Sequence, residues 1–310
     1  MAAQFILLAA VWGASFLFIK VGLQGLSPGQ VVLGRLASGA LALGAISLAT
    51  RQSLPRAPVA WAHLAVVSVL LCVAPFLLFA WAEQHIASGL ASIYNATTPL
   101  MTMLVAFAAL PAERPTQARL AGLLTGFVGV LVVLAPWDGA GGGGLTAQGA
   151  CLLATASYGL AFVYLRRFVS PLGLDAVPAA TVQVGLGAVI MLILTPVLAT
   201  GPVHLSVMVV ISVLALGAGG TGLAYVWNNN VVTAWGATTA STVTYLTPVV
   251  GVLLGVAILR EPLGWNEPVG AAIVIIGVAM SQGRFARRDA QPACSSGGLP
   301  SREPAETTPT

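Results

Sequence analysis

Charge is what this chain has least of. Charged residues make up 7% of its 310 positions, and lysine occurs once, as Lys20. Soluble domains carry roughly 25% charged residues. A charge at a bilayer centre costs ~2.5–3.5 kcal/mol on insertion scales, so membrane chains exclude it and soluble ones have no reason to. Acids are scarce as well, and none lies in the interior of an apolar run. Cys72, Cys151 and Cys294 form no paired pattern, and His63, His85 and His204 lie far apart near run ends. No metal-ligand spacing results, so neither a metal nor a cofactor is expected. With no histidine or acid at depth to activate a serine, a membrane-embedded enzyme lacks its parts. The net charge of +4 is scattered over loops and tail, which leaves no footprint for nucleic acid. The Gly141–Gly144 run is not followed by Lys-Ser/Thr, so it reads as a linker and not a phosphate loop.

What the chain has instead is hydrophobicity, 57% of its residues. Apolar runs fill 4–24, 29–50, 61–82, 88–110, 117–135, 147–166, 176–198, 205–228, 236–259 and 266–283. Runs of roughly 20 residues match a bilayer, and in hydrocarbon each backbone polar group needs an internal partner, so the runs are helices. The first run lacks a basic leader and reads as a span, not a signal peptide. The expected fold is therefore all-α and polytopic, with ten transmembrane helices. Residues 284–310, rich in Pro, Ser, Thr, Gly and charge, read as a disordered tail. An even number of spans puts both termini on one side. That side receives Arg51, Arg56, Arg114, Arg119, Arg166, Arg167, Arg284, Arg287, Arg288 and Arg302, and the other only Lys20 and Arg260. The imbalance predicts cytoplasmic termini.

The chain also repeats itself. Trp12-Gly13-x-x-Phe16-x-x-x-Lys20 returns as Tyr158-Gly159-x-x-Phe162-x-x-x-Arg166. Ala91-Ser92 with Thr98-Pro99 returns 149 residues later as Ala240-Ser241 with Thr247-Pro248. Glu113, Gly122 and Gly129 return 148 residues later as Glu261, Gly270 and Gly277. Five spans per half is an odd number, so the halves, 4–135 and 147–283, are expected to be inverted-topology repeats.

The polar groups kept inside are the functional candidates. Ser88, Ser92, Asn95, Thr98 and Thr102 share one face of the fourth span; Ser241, Thr244, Thr247 and Gly251 repeat it in the ninth, beside Thr238, Thr242 and Tyr245. Such hydroxyls either line a path or bond their own helix. Pro99 and Pro248 sit mid-span at matching positions, as hinges or static kinks. Arg35, inside the second span, must reach a wet cavity, an acid or the interface. Lys20, Arg35 and Glu83 are candidates for an outer gate in which the acid pairs with a cation. Trp12, Trp81, Tyr158 and Tyr225 join Arg35, Asn95, Thr98, Thr244 and Tyr245 as cavity candidates because their polar handles seek partners. Glu113 and Glu261 read as turn residues, each stabilised by the dipole of the helix that follows. Gly122/Gly126 and Gly251/Gly255 have GxxxG spacing and suit close helix packing. Trp61, Trp137, Trp235 and Trp265 read as interfacial anchors. Asn228-Asn229-Asn230 reads as a polar vestibule or a helix end.

On these features the chain resembles the ten-helix, EamA-type branch of the drug/metabolite transporter superfamily. Trp12-Gly13 with Phe16, the Ala91–Pro99 and Ala240–Pro248 blocks, and the glutamates after the fourth and ninth spans carry the resemblance. One departure is Arg260, where a small residue often precedes the glutamate, as Ala112 does in the first half. The resemblance implies two EamA domains around a central cavity and movement of small organic solutes, most often export. Small four-helix multidrug relatives bind protons and cations on an embedded glutamate; this chain has no equivalent, which argues against a central carboxylate as coupling site. Arg35 favours anionic or zwitterionic cargo. The expectation is an exporter of amino-acid-like or other small metabolites working by alternating access. It is expected in a bacterial cell (inner) membrane, as a monomer or weak dimer whose partners are small solutes and lipid. A flippase of the same fold, a multidrug exporter and a channel are the rival readings.

Overall fold

The computed structural model describes residues 2–109, 116–134, 144–235 and 243–281. Among them all regular structure is helical. Helix α1 is Ala2–Gly22 and α2 is Pro28–Ala49. Helix α3, Pro58–Ala82, is a continuous rod with a local irregularity, and α4, Ser88–Ala109, is one span made of two helical segments, Ser88–Asn95 and Thr98–Ala109. Next come α5, Gln117–Leu134, then α6, Gly144–Leu172, and α7, Ala176–Leu198. Helix α8 begins as Val207–Leu214, passes through Ala215–Leu223 and continues as Ala224–Trp235. The last two are α9, Val243–Leu259, and α10, Asn266–Ser281. Seven described helices are long and apolar enough to cross a membrane; the shorter apolar stretches Leu120–Val133, Leu246–Leu259 and Asn266–Met280 belong to α5, α9 and α10.

Local chemistry sets these boundaries. At the start of α2, Ser27 accepts from the Gln30 amide and Gln30 Oε1 accepts from the Ser27 amide, a capping box with Pro28 at the first helical position. Helix α4 breaks at Ala96–Thr97, just ahead of Pro99. Pro99 has no N–H for the Asn95 carbonyl, and the Thr98 hydroxyl donates to that carbonyl instead at 2.7 Å. Pro248 behaves differently and lies inside a continuous α9. Two expectations need correction. Asn228–Asn230 does not end the eighth helix, which runs on to Trp235. The sixth helix continues past its expected end at residue 166 to Leu172, because a π-helical Leu165–Val169 and a 3₁₀ turn Ser170–Leu172 carry the chain on to Gly173, whose φ is +60°. Residues 236–242 and the tail lie outside the described residues.

Packing turns the usual pattern inside out. Large apolar side chains face outward on many helices, among them Leu41, Leu48, Ile193, Val197, Val207 and Leu253. In lipid such faces incur no hydrophobic penalty, and association rests on close packing instead. Helices α5 and α10 show this. A Cβ on Gly129 would lie 2.6 Å from the Val274 amide nitrogen, and one on Gly277 would lie 2.7 Å from the Gly122 carbonyl. Two large buried clusters and a small one, Leu8, Ala9, Ala224 and Val243, complete the interior. Of the large ones, the first gathers Phe16, Phe79, Tyr94, Leu100, Cys151 and Val274, and the second Leu36, Leu43, Phe76, Val184, Met191 and Leu216.

Besides Leu165–Val169 near the end of α6, two π-helical stretches lie inside the rods: Val69–Val73 in α3 and Ala215–Leu223 in α8. Such turns widen the helix and leave backbone carbonyls free for outside partners. In α8 the Gly220 carbonyl accepts from the Trp12 indole at 3.2 Å. The glycines there also admit α2, since a Cβ on Gly217 would collide with Ser38 and the Arg35 carbonyl.

Candidate functional site

Arg35 organises the interior. It lies seven residues after Pro28, about 10 Å into α2 at 1.5 Å per residue, and is only 8% exposed. Its Nε donates to Thr221 Oγ1 at 3.2 Å, and the Thr221 hydroxyl donates in turn to the Leu216 carbonyl, five residues back along the π stretch. The guanidinium carbon stands 3.7 Å from the centre of the Phe76 ring. A desolvated cation–π contact of this kind is worth about 2 kcal/mol. The phenols of Tyr158 and Tyr225 and the thiol of Cys72 lie within electrostatic reach. Gln183 from α7 donates to Cys72 Sγ at 3.2 Å. Among the described residues no carboxylate hydrogen-bonds to Arg35. The cation is thus fixed at one edge by a hydroxyl and on one face by a ring, with donors to spare.

Of the sequence candidates, the structure brings Arg35, Tyr158 and Tyr225 together, with Trp12 on the adjoining α8 carbonyl. It does not bring the others to this point. Trp81 is 40% exposed and packs against His85, ring centres 4.7 Å apart. Thr98 and Thr102 spend their hydroxyls on the carbonyls of Asn95 and Thr98, and Ser92 does the same with Gly89. Asn95 is half-buried at the break in α4. The side chains of Thr244 and Tyr245, and all of Glu113, lie outside the described residues. Sequence reasoning missed Phe76, Thr221, Cys72 and Gln183. Gln183, a mid-span amide like Asn95, was the one with a visible signal. Gln148, near the start of α6, is a further buried amide, and its Oε1 accepts from the Tyr94 hydroxyl at 2.9 Å.

A second group of polar contacts ties the chain together at the end that carries the α1–α2 turn. Gln30 Nε2 donates to the carbonyls of Ala199 and Gly201, and the His204 amide donates to Gly25. A Cβ on Gly25 or Gly29 would collide with the carbonyls of His204 or Leu198, so only glycine permits this approach. Glu261 Oε1 accepts from the Ser88 amide at 2.8 Å, and Oε2 accepts from the Ser88 hydroxyl at 2.9 Å and the Gly89 amide at 3.1 Å. This corrects the expectation that Glu261 serves the helix that follows it. It caps α4, 173 residues away, which has no side-chain cap of its own. Glu267 takes the local role and accepts from the Gly264 amide at 3.3 Å.

Lys20 and Glu83 complete this end. The Lys20 ammonium donates to the backbone carbonyls of Glu83 and Ile86, closing the C-terminus of α3. The Glu83 side chain is fully buried, and neither carboxyl oxygen has a hydrogen-bond partner among the described residues. The expected direct pairing of Glu83 with Lys20 or Arg35 is therefore absent in this conformation: the lysine is committed to the main chain. At the opposite end His63 Nδ1 meets the Tyr164 hydroxyl at 2.8 Å, and Arg167 donates to the Ala109 carbonyl at 3.2 Å.

Comparison with known proteins follows the same outline. The model of the EamA-like transporter family matches residues 1–135 and again 145–282. The inner membrane transporter YedA of Escherichia coli K12, described as uncharacterized, is 26% identical over 277 residues, 87% of this chain and 86% of its own length. The transporter YdfC of Bacillus subtilis, likewise described as uncharacterized, is 24% identical over 284 residues, 89% of this chain and 88% of its own. One solved crystal structure superposes with a TM-score of 0.65 at 20% identity, covering 93% of this chain and 98% of that one, a likeness of fold alone.

Proposed function

The chain belongs to the EamA-like transporter family, and from that premise we propose that this integral membrane transporter carries small carboxylate-bearing metabolites, amino-acid-like ones first among them, by alternating access, with export favoured. The observation that carries the substrate class is Arg35: a cation 8% exposed, braced by Thr221 and Phe76, with no carboxylate hydrogen-bonded to it among the described residues. A buried charge without an ionic partner is costly, and a solute carboxylate would supply the missing one. Tyr158 and Tyr225 beside it offer hydroxyls for the rest of a zwitterion.

Alternating access rests on two inverted halves. Three sequence blocks recur at nearly constant offset, and the family model matches the chain twice. One pair of π stretches supports this: Val69–Val73 shifted by the 148-residue offset falls at 217–221, inside Ala215–Leu223, whereas Leu165–Val169 has no counterpart in α1. Exchange of two related halves around a fixed site is how such folds open to either side. The protein would sit in a bacterial inner membrane with both termini cytoplasmic, as a monomer or weak dimer.

Counterflow of labelled amino acids and small organic acids in proteoliposomes tests the reading. A lost charge-assisted contact costs about 1.5–3 kcal/mol, so Arg35→Ala should weaken carboxylate transport about 10- to 100-fold, with Arg35→Lys in between. If Arg35→Ala transports every carboxylate as the wild type does, the substrate class is wrong.

A further inference from the structure

The chemistry built around Arg35 leaves a buried carboxyl group unused. Glu83 follows the last residue of α3, at the outer end, and is 0% exposed. Both carboxyl oxygens are enclosed without a hydrogen-bond partner among the described residues. An ionised carboxylate in that position would have lost its water and gained nothing in return, a cost of several kcal/mol. A neutral carboxylic acid avoids most of it.

The groups facing Glu83 come from every side of this end. Lys20 of α1 stands closest, but its ammonium is occupied by the carbonyls of Glu83 and Ile86. Arg35 of α2 attracts the acid from greater depth, and Glu261, holding the N-terminus of α4, repels it. Cys151 of α6 is buried within electrostatic reach. His85 is exposed in the same turn, and His204 is exposed on the facing connection. One fixed cation and one fixed anion flank a carboxyl that hydrogen-bonds to neither.

We propose that Glu83 is a proton-binding site through which external pH governs the outer end: with the proton on, the arrangement seen here is stable, and with the proton off, the end must open to hydrate the carboxylate. This rests on the alternating-access reading but names a regulator within it. The proton comes from and returns to the external side and does not cross the membrane. The sign follows from the burial. The closed arrangement binds the proton more tightly than the open one, so acid outside closes this end and alkali opens it. On opening, Lys20 is released from the α3 carbonyls and becomes the partner of the ionised Glu83.

The test needs no substrate, so its failure is distinct from a wrong transport assignment. Protein in liposomes carries spin labels at Gln24→Cys and Leu205→Cys, two exposed outer positions, in a Cys294→Ser background; Cys72 and Cys151 are buried. As external pH rises, the short label-to-label distance should give way to a longer one. Changing internal pH alone should do nothing. Glu83→Gln, an uncharged isostere, should hold the short distance at every pH. Infrared difference spectra should show a protonated carboxyl band at neutral pH that Glu83→Gln removes and that fades with alkaline opening. An ionised Glu83 in the closed form would overturn the proposal. So would a pH response that survives in Glu83→Gln, which would pass the role to His85 or His204, or a response to internal pH, which would make Glu83 a carrier of protons across the membrane.

Discussion

Replacing Glu261 offers the sharpest measure of how the end that carries the α1–α2 turn is held. Its carboxylate accepts three hydrogen bonds, from the Ser88 amide, the Ser88 hydroxyl and the Gly89 amide. Ser88 and Gly89 are buried, so in Glu261→Ala their donors lose the acceptor in a place water reaches poorly. A stranded buried donor costs about 1–3 kcal/mol, and the loss of a helix cap alone about 0.5–2 kcal/mol. Glu261 is itself only half-buried, so water entering the gap recovers part of this. The net expectation is about 2–4 kcal/mol for Glu261→Ala. Glu261→Gln keeps one acceptor oxygen and loses the charge, for about 1–2 kcal/mol. Reversible unfolding in mixed micelles with added dodecyl sulfate measures both. A cycle with Ser88→Ala isolates the hydroxyl's share, which should couple to Glu261 by about 1 kcal/mol. The spin-label pair at positions 24 and 205 adds a conformational reading: Glu261→Ala should enrich the long distance without any change of pH. If Glu261→Ala costs less than about 0.5 kcal/mol, the α4 donors find other partners and the contact is not a latch.

The remaining expectations concern packing and the break in α4. The atoms nearest a Cβ at Gly277 would be backbone atoms of Gly122 and Gly126, which cannot yield, so Gly277→Val should cost at least about 2–3 kcal/mol in the same unfolding assay. Gly149 has nothing within 4 Å, and Gly149→Ala should be neutral or stabilising by up to about 1 kcal/mol. Thr98→Val strips the donor from the Asn95 carbonyl and should cost about 1 kcal/mol; in a Pro99→Ala background, where a backbone N–H is restored, that cost should vanish.

The helices were legible because a run of twenty apolar residues is a long signal. The second, third and seventh begin or end within three residues of the apolar runs that predict them. The eighth was misjudged at its end because three asparagines look like a stop. In a helix that leaves the bilayer, polar residues need only water to continue. The site was legible in its centre and not in its surroundings. Arg35 announces itself as a lone charge in a span, whereas Phe76 and Thr221 look like any membrane aromatic or hydroxyl until the chain is folded. Glu261 was visible as a repeated residue, yet its partner lies 173 positions away, and no local rule about helix dipoles reaches that far. Glu83 looks in the sequence like half of an ion pair. Nothing in the sequence tells that Lys20 spends its ammonium on carbonyls.

The widened turns in α3 and α8 have a consequence for how Arg35 is held. A π turn accommodates a residue that an α-helix of the same path would not need. Each residue advances a helix by about 100°, so that surplus sets the compass bearing of everything beyond it. Phe76 lies just past the first such stretch and Thr221 within the second. The bearing of both residues toward the guanidinium is thus fixed by a count of amino acids along each rod. Deleting one glycine from α8 would turn Tyr225 away from Arg35 while leaving the composition of the pocket unchanged.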